Sequence, residues 1–168
     1  MKKYIILMVI LISIIQTLQA DEPLERFVEL SLQVEVLNLD AYSYDLDTFN
    51  IAFELLLGEE HLLYSNIDWV LAQIVLESGG GTSELSKTNY NLFGMKKARR
   101  RMTFNISNQK GGFSRYKNYF FSLGDYILWF DTNPIRDGEA YGDYLLRRGY
   151  ASDKNYIKKL RYIKNNKK

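Results

Sequence analysis

The sequence predicts a single, mainly α-helical (α+β) domain with a small β-hairpin lobe. Three observations carry that expectation. Apolar residues recur at helical spacing in several segments, most densely over 67–78. Between Lys97 and Tyr119 the texture changes to short alternating runs around a Gly111-Gly112 turn, the signature of a hairpin. The 168 residues are 46% hydrophobic and 25% charged, ordinary for one globular domain, and no internal repeat or low-complexity segment divides them.

The chain opens with Met1-Lys2-Lys3, a basic lead into an apolar run over 4–15 broken only by Ser13, and Ala20 offers a small residue for cleavage. This predicts a secretory signal peptide over 1–20 and an exported domain, periplasmic or secreted, over 21–168. The run is too short for a comfortable span, so membrane association is expected to be peripheral at most. Leu18 is not small at the third position before the cut, and an uncleaved anchor is the alternative. There is no Cys, so no disulfide supports the domain, and a monomer held by its core is expected.

Charge is divided along the chain. Between Asp21 and Glu84, Arg26 is the only Lys or Arg, whereas 85–124 contains no acid and carries Lys96, Lys97, Arg99, Arg100, Arg101 and other bases. The halves attract each other, and any uncovered basic face attracts a polyanion. For an exported protein the expected polyanion is a peptidoglycan glycan strand, with its lactyl and peptide carboxylates, rather than nucleic acid. A merely solvated basic hairpin is the competing interpretation.

Taken in order, 24–39 mixes two signals. Asp21-Glu22-Pro23 opens a helix, whereas Leu30, Leu32, Val34 and Val36 alternate with polar residues at strand period. A helix ending in an extended piece is expected. Residues 47–57 form a helix capped by Asp47, with Phe49, Ala52, Phe53 and Leu56 on its buried face and Gly58 as its stop. His61 is the single His, too little for a zinc site, and no metal is expected. Ser65 or Asn66 caps the next helix, 67–78, which has Asp68 in its first turn and is then apolar nearly all round except for Gln73 and Glu77.

Gln73 and Glu77 lie four apart and share one face. A narrow polar stripe on a buried helix must meet a cleft, a partner or water. Apolar surroundings and the C-terminal end of the helix dipole both favour the protonated acid at Glu77. That is how a general acid is prepared at neutral pH. Gly79, Gly80 and Gly81 then stop the helix and leave its mouth free of side chains. Ser122–Asp125 has the form of a capping box opening a helix through Phe130, and a further helix spans 139–148 before Gly149. A last helix capped by Ser152 and Asp153 carries Tyr156, Ile157, Leu160 and Ile163 on one face.

Glu77-Ser78-Gly79-Gly80-Gly81-Thr82-Ser83 followed by Asn89-Tyr90-Asn91-Leu92-Phe93-Gly94-Met95-Lys96 resembles the glucosaminidase family of peptidoglycan hydrolases. Tyr150-Ala151-Ser152-Asp153-Lys154-Asn155-Tyr156 is similar to the closing Tyr-Ala-x-Asp-x-x-Tyr of that family. The likeness covers roughly Asp47–Ile163. It implies a lysozyme-like fold, an endo-acting β-N-acetylglucosaminidase, Glu77 as catalytic acid, and no cofactor. It also implies that Asn91, Phe93 and Gly94 shape the sugar site. Tyr90 stands where the family has Asn, a departure expected to alter a subsite. Tyr90 and Tyr116 are the aromatic residues expected to stack on sugar rings.

Many members carry a second catalytic Glu in the hairpin lobe, and here that span has no acid. A substrate with a 2-acetamido group can use its own carbonyl as nucleophile. Tyr150, in the closing motif, is then the expected second catalytic group, orienting the acetamido group, with Asp125, Asp143 and Asp153 as rival partners. Two other functions stay open. A lytic transglycosylase also uses a lone Glu in a Glu-Ser-Gly context, although its Gly-Leu-Met-Gln stretch is absent. A non-catalytic peptidoglycan-binding protein would fit the missing Glu and Tyr90.

Overall fold

The computed structural model describes residues 22–37, 39–109 and 111–166. The expected signal peptide lies outside the described residues. In chain order the elements are α1 (Glu22–Val36), α2 (Leu46–Leu57), a 3₁₀ turn (Tyr64–Asn66), α3 (Ile67–Ser78), α4 (Glu84–Asn89), β1 (Ser107–Asn108), β2 (Ser114–Arg115), α5 (Tyr119–Asp131), α6 (Tyr141–Arg147) and α7 (Tyr156–Asn165). The mainly α-helical domain with a hairpin lobe expected from the sequence is therefore present. Among the described residues no helix is long and apolar enough to cross a membrane.

Several boundaries differ from the sequence expectation, each for a local reason. α1 runs unbroken to Val36. Its packing stripe is Phe27, Leu30 and Val34, at helical spacing, while Val36 is left exposed, so the alternation over 30–36 does not make a strand. α2 is capped by Asp45, whose side chain accepts from the Thr48 amide, and Asp47 falls in the first turn. The 3₁₀ turn feeds α3 directly; Ser65 and Asn66 turn their side chains back to the Leu62 carbonyl instead of capping. α5 begins at Tyr119 because Asn118 accepts from the amides of Phe120 and Phe121; Ser122 and Asp125 are buried inside the helix, not at its cap. α6 is shorter than expected, and Glu139 lies before it, paired with Arg147. α7 has Asn155 at its cap position with no side-chain cap bond, so Ser152 does not cap it; the Asn155 amide is taken by Asp153.

α3 packs mainly against α7, with α2 on another side, and α1 lies on α5. The core between them is unusually aromatic. Phe49, Phe53, Phe93, Phe120, Phe130, Tyr116, Tyr126 and Tyr144 are among its largest fully buried side chains. Each such side chain contributes about 1.5–3 kcal/mol on burial. That is the stabilisation available to a domain without disulfides.

The hairpin pairs Ser107 with Arg115 and Asn108 with Ser114, and Lys96 bridges Phe113. It is much shorter than the alternating sequence suggested, and 102–106 is irregular. It is tied down by Asp125 of α5. That fully buried carboxylate accepts both terminal nitrogens of Arg101 at 2.8 and 2.9 Å, the Phe104 amide at 3.2 Å and the Tyr116 hydroxyl at 2.7 Å. His61 is likewise structural: its Nδ1 accepts the Leu63 amide and its Nε2 meets Asp131 at 2.9 Å.

Arg101→Met should therefore destabilise the protein by about 3 kcal/mol, because it strands a buried carboxylate. Urea unfolding checks this; a change under about 0.5 kcal/mol would mean that Asp125 is not held by the ion pair.

Candidate active site

Glu77 occupies the last turn of α3, and the helix stops at Gly79, which takes the left-handed conformation. The amide of Gly80 bonds back to the Val75 carbonyl at 2.9 Å, closing the helix end. Gly81 lies against the Tyr44 ring, where a Cβ would stand 2.5 Å from ring carbon, so a glycine is required there by packing. The result places a half-buried carboxyl at the end of a largely apolar helix.

That carboxyl has one close polar neighbour. The Tyr156 hydroxyl, from α7, donates to Oε1 at 2.7 Å. Burial pushes the Glu77 carboxyl above the usual carboxylate range, and the Tyr156 bond opposes this only in part. The C-terminal end of the helix dipole acts in the same direction as burial. The environment anticipated for a proton-holding acid is thus present.

The wall facing Glu77 is the turn 91–95. Asn91 builds it: its Nδ2 donates to the carbonyls of Met95 and Ser114, both at 2.9 Å, and its Oδ1 accepts the Met95 amide at 3.0 Å. Asn91 is fully buried, so it orients the turn and the hairpin strand rather than meeting a sugar directly. Gly94 has φ 62°. A Cβ at Gly94 would sit 3.0 Å from Oε2 of Glu77. Backbone conformation and space beside the carboxyl both call for glycine. Phe93 is stacked on Tyr126 with ring centroids 4.0 Å apart, and its carbonyl accepts the Tyr150 hydroxyl at 2.8 Å.

Two cavities meet at this point. One, of about 450 Å³, is lined by Glu77, Gly94, Lys96, Lys97, Trp129 and Tyr150 among others. The other, of about 390 Å³, shares Glu77, Gly94, Lys96 and Tyr150 and adds Phe113, Asp153 and Lys159. They are two arms of one cleft, with Glu77 and Tyr150 at the junction. The first arm is basic, since Arg101 and Arg148 also line it and Glu77 is its only acid. The guanidinium of Arg148 lies over the Trp129 ring, 4.2 Å from its centroid.

The structure separates the residues that the sequence grouped. Glu77, Phe93, Gly94 and Tyr150 come together at the cleft. Tyr116 does not line it: it is buried, with its hydroxyl on Asp125, so it holds the hairpin and is not a stacking surface in this structure. Tyr90 lines neither arm. It is the C-cap of α4 in the left-handed conformation, φ 51°, with its ring edge-on to Tyr42 and Tyr119. Asn tolerates that conformation and Tyr does so with strain, so the departure from the family pattern falls at a helix end rather than at a subsite.

The rival carboxylates separate too. Asp125 is buried and saturated. Asp143 lies in the first turn of α6 and lines neither arm. Asp153 lines the second arm, and its hydrogen bond from Lys159 at 2.7 Å holds its carboxyl below the usual range. Sequence reasoning missed Tyr156 as the partner of Glu77, and Trp129 and Lys96 as cleft residues. For Tyr156 the signal was present, as the last residue of the closing motif, but its place on the apolar face of α7 reads as packing.

The raised Glu77 pKa has a consequence for stability. A carboxyl whose folded pKa lies above its unfolded value favours the folded state fully below the unfolded value, and that contribution is lost as pH rises through the folded one. Glu77→Gln should therefore gain stability relative to the parent as pH rises from about 4 towards neutrality, where the parent must bury a charge. Parallel melting curves across pH check the sign. A Gln variant that loses ground over that range would mean the folded pKa is depressed.

A family model described as Glucosaminidase: Mannosyl-glycoprotein endo-beta-N-acetylglucosaminidase matches residues 58–168. No curated protein and no solved structure matches the chain. The matched region begins at the stop of α2 and takes in Glu77, the 91–95 turn, the hairpin lobe, Tyr150 and Tyr156. The chain belongs to the glucosaminidase family, whose activity is that of a glycoside hydrolase.

Proposed function

We propose that this chain is an endo-acting β-N-acetylglucosaminidase that cleaves the glycan backbone of peptidoglycan after N-acetylglucosamine, with Glu77 as general acid. The observation that carries this is the carboxyl of Glu77, desolvated, held by Tyr156, and standing where the two arms of the cleft meet. A glycan strand threaded through both arms puts one glycosidic oxygen at that junction. The export expected from residues 1–20 would bring the protein to that substrate.

The basic arm supports the substrate class. Arg101 and Arg148 are engaged within the protein, by Asp125 and by Trp129 with the α5–α6 connection. Lys96 and Lys97 pair with no acid among the described residues. Their amines suit the lactyl and peptide carboxylates of a peptidoglycan strand.

In the first half of the reaction, the acetamido carbonyl of the substrate attacks the anomeric carbon while Glu77 protonates the leaving oxygen. The C1–O bond breaks, its electrons go to the leaving sugar, and an oxazolinium-type ring forms. In the second half water adds at C1, the C1–O bond of the ring breaks to restore the acetamido group, and the proton lost by the water returns to Glu77. Tyr150 stands at the junction with its proton committed to the Phe93 carbonyl. Its oxygen keeps an acceptor lone pair for the acetamido N–H, whose acidity rises as the ring closes. A second reading rests on Asp153, which lines the arm beside Glu77 and is held ionised by Lys159. There it would act as the second carboxylate, activating water in place of the acetamido group. A raised and a lowered carboxyl in one cleft is a known division of acid and base roles.

Glu77→Gln should keep the fold and lower turnover at least about a hundredfold. Mass spectrometry of digested peptidoglycan should give reducing-end N-acetylglucosamine. Anhydromuramic ends would instead indicate a lytic transglycosylase, and an absence of products would indicate a binding protein. Tyr150→Phe and Asp153→Asn, each compared for turnover and melting temperature, separate the two accounts of the group that assists Glu77. Turnover lost in Asp153→Asn alone, at unchanged stability, would remove the substrate-assisted one.

The charge reading is tested on Lys97, Arg99 and Arg100, which are exposed, and excludes Arg101, which is structural. Changing the three to Gln should weaken binding to intact peptidoglycan about tenfold and flatten its salt dependence. Uncharged N-acetylglucosamine oligomers should be bound as before. Equal binding of peptidoglycan by variant and parent at all salt concentrations would make these residues a solvated face only.

A further inference from the structure

Behind Glu77 the core contains a chain of polar groups that packing does not require. Gln73, one turn earlier on α3, is fully buried. Its Oε1 accepts from the Tyr126 hydroxyl at 2.9 Å and from the Tyr141 hydroxyl at 2.6 Å, and those two oxygens lie 2.6 Å apart. Its Nε2 points to the Tyr156 oxygen at 3.5 Å, a long contact. Tyr156 then donates to Glu77. Three helices, α5, α6 and α7, thus send tyrosine hydroxyls to one stripe of α3. Buried polar groups are costly unless every one is satisfied. Apolar residues at 73, 126 and 141 would fill the same space more cheaply.

Proton counting gives the network a direction. Tyr126 and Tyr141 hold two protons, and beyond each other the acceptor within their reach is Gln73 Oε1. That turns the Gln73 amide nitrogen towards Tyr156. Tyr156 faces a donor on its inner side, so its own proton goes outward, to Oε1 of Glu77. With Oε1 occupied as an acceptor, a neutral Glu77 carries its proton on Oε2. Oε2 is the oxygen beside Gly94, on the cleft side.

We propose that Tyr156, backed by Gln73, is a positioning residue that places the catalytic proton of Glu77 on Oε2 and supports the carboxylate left when that proton is donated. The proposal rests on Glu77 being the general acid. The bond from Tyr156 strengthens as Glu77 becomes charged, so it acts more in the transition state than in the ground state. It also sets the pH at which the acid is lost. Glu77 works protonated, so its ionisation forms the alkaline limb of the rate profile. A hydrogen bond to the ionised form draws that limb to lower pH.

Other groups face the carboxyl as well. Lys96 comes from the 91–98 segment, Tyr150 and Asp153 from the α6–α7 connection and Lys159 from α7, while Lys97, Arg101 and Arg148 line the basic arm. All of them are retained in the variants below, so they contribute equally to each profile.

The test uses the full chain and a soluble glycan oligomer released from peptidoglycan. Tyr156→Phe removes one oxygen. It should lower kcat about tenfold, leave KM within about twofold and move the alkaline limb to higher pH. Gln73→Met should move it in the same direction by less. Site-specific 3-fluorotyrosine at 156 keeps the volume and makes the hydroxyl a stronger donor, so the limb should move to lower pH. This last protein decides the matter if Tyr156→Phe does not fold. A merely structural Tyr156 would change melting temperature and the amount of active protein without moving the limb. An alkaline limb at the same pH in the fluorotyrosine protein and in folded Tyr156→Phe would overturn the proposal. Undiminished turnover in Glu77→Gln would instead overturn the role of Glu77 itself.

Discussion

The polar stripe on α3 is the constraint that the rest of the structure answers. A helix that is apolar on its other faces can be buried only if Gln73 and Glu77 find partners inside. The fold supplies them from three later helices: Tyr126 of α5, Tyr141 of α6 and Tyr156 of α7. These bonds carry direction as well as energy. They require α7 to lie along α3 in a register that brings Tyr156 to the carboxyl, and that packing is the most extensive between any two of the described elements. The same arrangement leaves Glu77 at the helix end, where the chain turns through three glycines and a cleft can open.

The cleft has two walls that are built differently. The α7 side is a helix, and its groups are positioned by packing. The opposite side is irregular chain, and it is positioned by side chains bonded to backbone. Asn91 binds the turn 91–95 and the strand at Ser114 together, and Asp125 gathers Arg101, Phe104 and Tyr116 under the hairpin. A two-residue ladder is too short to hold a lobe on its own. Buried polar anchors do that work, which explains why Asn91 and Tyr116 lie beneath the site and not in it.

This division matters for the chemistry. The acid is placed by the rigid part of the molecule, to within the tolerance that a packed helix pair allows. The basic side chains of Lys96 and Lys97 are placed on the loop-built wall. The carboxyl of Asp153 lies between these two regimes, on the connection into α7, and its ion pair with Lys159 ties it to the helix.

The sequence by itself determined the helical class, the buried face of α2, the apolar α3 with Glu77 at its end, and the membership that the ordered motifs announce. These are local properties: periodicity, glycine stops, and a carboxyl in an apolar run. It also carried the absence of an acid over 85–124, which the fold cannot supply again from that wall. Tertiary structure alone decided which polar and aromatic residues face the cleft. Tyr116, Tyr90 and Asn91 read as sugar contacts because they sit in or near the motifs, yet two are buried and the third caps a helix. Tyr156 reads as core, yet its hydroxyl reaches the acid. The physical reason is that a tyrosine is apolar along its ring and polar at one atom. Spacing along the chain places the ring, but only the packing of distant helices decides what that one oxygen meets.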